Sequence, residues 1–530
     1  MTHETPPPAM GFPGSLPTTT WAPPPVAAVP FVQHPTDRLA ARAIVISLFA
    51  GALAQLLLFS QRPGVNWPIW IAAVIAAAVI TRRPASRIDR ADIWLPIGAL
   101  TFAAFIALRD DPGLFTFDLL ASSALTLASV VAIGGLPVTR NTWLTIGRLG
   151  GSAVLMFWVG AARMLHGFRP VLAGLPAFGG SSTSRLVARG LLIALPLVIA
   201  FVALFAAADA VFQNLLRSTF DFRLDLSEWV GRFVFGLTAA WFLGGTLVAG
   251  WLTRDRFPNR EVAGTGTNRQ RPLSSIEAVT VVGVLDVLFA IFVIIQAAYL
   301  FPGGDPLSAS GLTYAEYARR GFFELVVVAV LSGAVILTLD WLVDRATLSF
   351  RLATAGLALM TGIVLISAAV RLNIYQQVYG WTELRFYVLA AIAMLAFGVV
   401  VTILAIATRR VGAVPKLVLA AGLVIALACN VIGPQAFVTT HNVERAANPA
   451  LVPADGFTGL DTGYIAGLSA DVVPSLVQSL DQLPPDARDQ VVVLLRRTAH
   501  ALRADATGET WQSWNLSRQR ALDALLAAGF

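Results

Sequence analysis

Apolar runs of membrane-spanning length recur along the chain, separated by short polar or charged segments, at 43–60, 65–80, 92–108, 115–135, 190–208, 229–252, 276–300, 321–339, 352–370, 386–407 and 416–433. A helix crossing about 30 Å of hydrocarbon needs about 20 mostly apolar residues, so these runs predict about eleven spanning helices. The pattern changes at residue 434, where charges and prolines return for the rest of the chain. There Pro484-Pro485 suits the first turn of a helix whose apolar side carries Val491, Val492, Leu494, Leu495, Ala499 and Leu502. Ser513 or Asn515 can cap a last helix bearing Leu516, Ala521, Leu522, Leu525 and Leu526. The expected fold is all-α, with a polytopic helical membrane domain at 37–433 and a small α-helical soluble domain at 434–530. Residues 1–36 have no apolar core and many prolines, so they read as a disordered tail and not as a cleavable signal peptide.

Composition agrees with lipid as the solvent, since 56% of residues are hydrophobic and 13% charged. The net charge of +7 follows topology. Of 38 Lys and Arg, 22 fall in the segments that face the cytoplasm when the N-terminus is inside, and eight in the short outer loops. That bias predicts a cytoplasmic N-terminus and an extracytoplasmic 434–530 domain, in the cell membrane. A nucleic-acid partner is not expected, because no basic cluster is interleaved with aromatics outside the inter-helix segments. The apolar stretch 149–165 has arginines at both ends. Counting it as a span would move Arg254 to Arg271 outside, so it is expected to be interfacial or re-entrant, lying against membrane lipid.

Candidate chemistry is sparse. The chain has no Walker loop, no nucleophile elbow and no His-Glu-x-x-His, and its five histidines lack metal-ligand spacing. Cys429 is the single cysteine, so neither a metal site nor a cofactor is expected. Polar density gathers instead at the outer helix ends. Thr313 and Glu316 form a capping box, and Glu316, Arg320 and Glu324 follow on one helical face beside Tyr317. Arg371, Tyr375 and Tyr379 share a face of the next helix, Gly380 reverses the chain, and Thr382, Glu383 and Arg385 open the one after. With Asp209 these residues form a candidate outer-face ligand site, where arginines could engage carboxylate or phosphate. The same residue types also suit simple anchoring of helix ends. Within the bilayer Asp286 lies near mid-helix, so it should face protein or water, as a structural hydrogen-bonder or as an ion or proton site.

Four segments carry a family resemblance: RGLLIALPLVIAFVALFAAADAVF from Arg189, TYAEYARRGFFEL from Thr313, RLNIYQQVYGWTELRFY from Arg371, and the C-terminal group HNVERA, LDTGYIAGLSADVVPSL and WQSWNLSRQRA. Together they resemble a bacterial family of multi-pass membrane proteins containing the domain of unknown function 4153/4173. The resemblance implies a shared multi-span fold and imports no reaction. The expectation is a non-catalytic envelope sensor or scaffold, or a transporter-like protein, with a possible extracytoplasmic protein partner for 434–530. The alternative is a membrane-embedded transferase on a lipid-linked phosphate, for which Asp110-Asp111 is the one paired-Asp candidate, although Pro112-Gly113 makes it read as a turn.

Overall fold

The computed structural model describes residues 37–82, 88–141, 226–256, 273–300, 322–343, 346–453 and 456–530, and these are helical with no strand among them. The bundle contains α1 (Asp37–Leu58), α2 (Asn66–Thr81), α3 (Trp94–Leu108), α4 (Pro112–Ile133), α5 (Leu226–Arg256), α6 (Ser275–Leu300), α7 (Phe322–Leu342), α8 (Leu348–Tyr379), α9 (Glu383–Thr408) and α10 (Val414–Ile432). Nine of these helices are long and apolar enough to cross a membrane, α3 when taken with the 3-10 turn Arg90–Asp92 that leads into it. The exception is α2, which is apolar but has 16 residues. It is about 24 Å long, so it would cross only where the bilayer thins. Its start is fixed by Asn66, whose buried side chain donates to the carbonyls of Leu57 (2.9 Å) and Arg62 (3.2 Å). The expected tail 1–36, the stretch 149–165 and the run 190–208 lie outside the described residues.

Helix ends follow the sequence signals. Asp111 caps α4 by accepting from the amides of Gly113 and Leu114, with Pro112 in the first turn. Ser274 and Glu277 exchange bonds at the start of α6, the reciprocal capping pattern. Gly380 ends α8 with φ of 77°, a left-handed conformation that favours glycine, and Thr382 caps α9.

Small residues set the closest helix contact. A Cβ at Gly51 of α1 would come within 2.4 Å of the Gly236 carbonyl of α5, so only glycine allows this approach. The two helices are antiparallel: Phe59 meets Phe235 at 5.7 Å at one end, and Ala43 and Ile44 share a core with Leu247 and Val248 at the other.

The bundle therefore has two distinguishable faces. On one lie the α1–α2, α3–α4 and α8–α9 turns and the end of α10, covered by the C-terminal domain. On the opposite face, the Asp92 carboxylate accepts from the amides of Val138 (3.0 Å) and Thr139 (2.7 Å), and Lys416 donates to the Thr139 carbonyl (3.0 Å). The chain leaves α4 on that opposite face and enters α5 on the domain face.

The domain itself comprises α11 (Pro434–Ala447), α12 (Thr462–Ala466), α13 (Val473–Ser479), α14 (Pro485–Gly508) and α15 (Leu516–Ala527). Pro485 opens α14, Asn515 caps α15, and Val491, Leu495, Ala499, Ala521 and Leu525 are buried in one core with Ile465 and Leu476.

Candidate functional site

The densest polar region among the described residues lies where the C-terminal domain meets the bundle. At its α8–α9 side, Tyr375 and Tyr379 stack edge to face at 5.1 Å, and the Arg385 guanidinium sits 4.0 Å from the centroid of Tyr375. Arg385 also donates to the Gly380 carbonyl. The backbone amide of Glu383 donates to the Tyr464 hydroxyl (2.8 Å), and its carboxylate accepts from Gln435 (2.8 Å). The last carbonyls of α8 have no partner within the helix. Arg445 of α11 supplies one, donating to Gln377 (2.6 Å) and Val378 (3.3 Å), where a cation also suits the helix dipole. Asn442 pairs with both the amide and the carbonyl of Trp381, each at 2.8 Å.

Tyr375, Tyr379, Glu383 and Arg385 are thus brought together, and Arg371 is buried deeper along the same helix. The expected members Asp209, Glu316, Tyr317 and Arg320 lie outside the described residues, and Glu324 is described only as part of α7. Asp286 is elsewhere. It faces α8 in mid-bundle, where a Cβ at Gly356 would stand 3.7 Å from its carboxylate, and its Oδ1 is buried with no hydrogen-bond partner. Gly356 is 23 residues before Tyr379, about 35 Å along the helix, so Asp286 is not part of this cluster.

A second polar zone covers the α1–α2 and α3–α4 turns. The Asn515 side chain donates to the carbonyls of Ile106 (3.0 Å) and Arg109 (2.8 Å) while capping α15 through its oxygen. The Val65 amide donates to the Trp514 carbonyl (3.0 Å). Arg109 reaches the other way and donates to Asn430 and Val431, both at 2.8 Å, closing the end of α10.

Three carboxyl groups lie in this zone and point to different partners. Asp110 pairs with Arg518 at 3.1 Å. Asp111, fully buried, accepts from the Tyr387 hydroxyl at 3.2 Å besides capping α4. Asp471 accepts from Ser517 and from the Asp110 amide (3.4 Å), while its Oδ2 is buried without a partner. Burial pushes both Asp111 and Asp471 above the ordinary carboxyl value; hydrogen bonds from Leu114 and from Ser517, respectively, oppose the shift. One layer deeper, Asp118 accepts from the Asn430 amide at 2.8 Å, and both residues are fully buried.

Sequence reasoning missed Asp471, Asn515 and Arg518 as junction residues. Their partners are more than 350 positions away, and no local pattern signals such a pairing. Among the described residues no three His, Cys, Asp or Glu side chains gather as a metal site would require.

A cavity of about 630 Å³, open on one side where Val330 and Leu419 are exposed, lies between α7, α8, α9 and α10, with Phe117 of α4 also lining it. Its two threonines, Thr361 and Thr402, donate their hydroxyls to carbonyls of their own helices, so the wall is apolar and carries no charge.

No curated protein and no solved structure matches the chain. A family model does, over residues 96–479, from α3 to the end of α13. The match takes in the α8–α9 side of the junction and the α3–α4 turn, but starts after the α1–α2 turn and stops before α14 and α15. It covers well over half of the sequence, and the chain belongs to the family described as Domain of unknown function (DUF4153).

Proposed function

We propose that this integral membrane protein is a non-catalytic sensor or scaffold of the cell membrane, with its N-terminus in the cytoplasm and residues 434–530 outside, positioned to meet an extracytoplasmic protein. The observation that carries this reading is the breadth of the junction. One small domain touches the α1–α2, α3–α4 and α8–α9 turns and continues directly from α10, so an event on the domain is felt at once by most of the helices. The lysine and arginine bias supports the orientation. The transporter-like reading has less behind it, since Asp286, an ionisable group in mid-bundle, faces a glycine and the large cavity is uncharged. For a lipid-phosphate transferase, Asp110 and Asp111 are already committed, one to Arg518 and one to capping α4.

Reporters fused after residue 20 and after Phe530 should signal opposite sides of the membrane; same-side signals overturn the orientation. In cells whose own copy is deleted, Asn442→Ala with Arg445→Ala should fail to restore the deletion phenotype although the protein inserts, while Asp286→Asn should restore it. The reverse result would favour transport.

A further inference from the structure

We infer that the cavity between α7, α8, α9 and α10 is a binding site for one acyl chain of an anionic phospholipid, drawn from the leaflet opposite the C-terminal domain, with its phosphate held by Arg409, Arg410 and Lys416. The lining residues run along α10 from Val414 to Leu423, nine positions or about 13 Å. That is close to one leaflet's share of a hydrocarbon core about 30 Å thick. The volume, about 630 Å³, is in the range of sites for small molecules, roughly 300–1,000 Å³. Because Thr361 and Thr402 have satisfied their hydroxyls on their own helices, the wall offers no donor to water or a polar solute. An apolar cavity of this kind stays dry and takes an apolar occupant.

The mouth supplies the other half of the argument. Val414 and Pro415 line the cavity where α10 begins, on the face away from the domain. Immediately before them stand Arg409 and Arg410, exposed, their guanidinium groups making no hydrogen bond or ion pair among the described residues. Lys416 follows, and its ammonium makes one bond, to the Thr139 carbonyl. Among the described side chains the acids at this end are occupied: Asp89 pairs with Arg140, Asp92 binds two amides, Glu277 caps α6 and Asp340 is itself engaged. Three cations beside the opening of a leaflet-deep apolar slot match a phosphate head with its chain inserted.

Gly333 provides a way to test this, because a Cβ there meets nothing within 4 Å and so points into open space in the cavity wall. Purified full-length protein, stripped of lipid, would be given equal amounts of phosphatidylglycerol and phosphatidylcholine and read by native mass spectrometry. The wild type should retain phosphatidylglycerol by about 30-fold or more over phosphatidylcholine, the scale expected from two or three juxtamembrane cations at about 1 kcal/mol each. Gly333→Leu should lose most of the retained lipid of both kinds, with an unfolding midpoint no lower than the wild type's. Arg409→Gln with Arg410→Gln should keep a bound lipid but lose the preference. Undiminished lipid on a folded Gly333→Leu protein would mean that the lipid sits outside the cavity and would overturn the proposal. Should Gly333→Leu fail to fold, the arginine pair still decides: an unchanged preference in that variant overturns the headgroup assignment.

Discussion

At the α8–α9 turn the C-terminal domain grips backbone, whereas over the turns of α1 to α4 it also encloses carboxyl groups. In the first grip Arg445 and Asn442 reach carbonyls and an amide that the end of α8 leaves open, and the one acid, Glu383, is half-buried with its oxygen satisfied by Gln435. In the second, Asp110 pairs with Arg518 and Asp111 accepts from Tyr387, while Asp471 is buried with its Oδ2 lacking a donor. The second grip accordingly holds a buried carboxyl, Asp471, that burial pushes above its ordinary value. A family match that ends at residue 479 includes all of the first grip but leaves Asn515 and Arg518 of the second beyond it.

The largest effect should come from Asn515→Ala in the second grip. It removes the α15 cap and leaves two carbonyls at the end of α3 without their donor, for a combined cost of about 3 kcal/mol in detergent unfolding. Arg445→Ala should cost about 2 kcal/mol by opening the end of α8, and Arg445→Lys should recover less than half, because a lysine cannot fork across two carbonyls. If Arg445→Ala proves the more damaging, the ranking of the two grips is reversed.

Asp471 gives the comparison its pH axis. Burial holds its carboxyl above the ordinary 3.8, so the folded chain binds that proton more tightly than the unfolded one. Stability from this group is therefore fully present below about 3.8 and falls as pH rises through the shifted value. Asp471→Asn should flatten that decline, read as unfolding midpoint against pH. The smallest effect belongs to the rim. Arg62 and Asp505 pair at 2.7 Å but are 57% and 39% exposed, so Arg62→Ala should change stability by no more than about 0.5 kcal/mol, and less at high salt.

Most of the membrane domain was legible in the sequence because hydrocarbon imposes a length and a composition on every span. Nine expected spans correspond to helices of crossing length, and α2 is shorter because the apolar run that forms it, expected at 65–80, is itself only 16 residues long. The α8–α9 side of the site was legible for a related reason, since Arg371, Tyr375, Tyr379, Glu383 and Arg385 are neighbours in sequence. What local reading could not supply is the use to which they are put. Arg385 rests on Tyr375 and Gly380, and Glu383 answers to Gln435 and Tyr464, residues of a domain that begins 50 positions later. Asp118 shows the limit most plainly: it is fully buried and meets Asn430, 312 positions away, a pairing that no local pattern signals.

The contact of Trp514 and Asn515 with the turns after α1 and α3 has a consequence for biosynthesis. The first hairpin leaves the ribosome some 450 residues before its partner exists, which at about 5–20 residues per second is a wait of tens of seconds. Throughout that interval the carbonyls at the end of α3 have only water or lipid headgroups to bond. The last helix to be made is thus the latch on the first ones, and a chain that stops short of Trp511 would enter the bilayer with its earliest turns still open to the surveillance that removes unfinished membrane proteins.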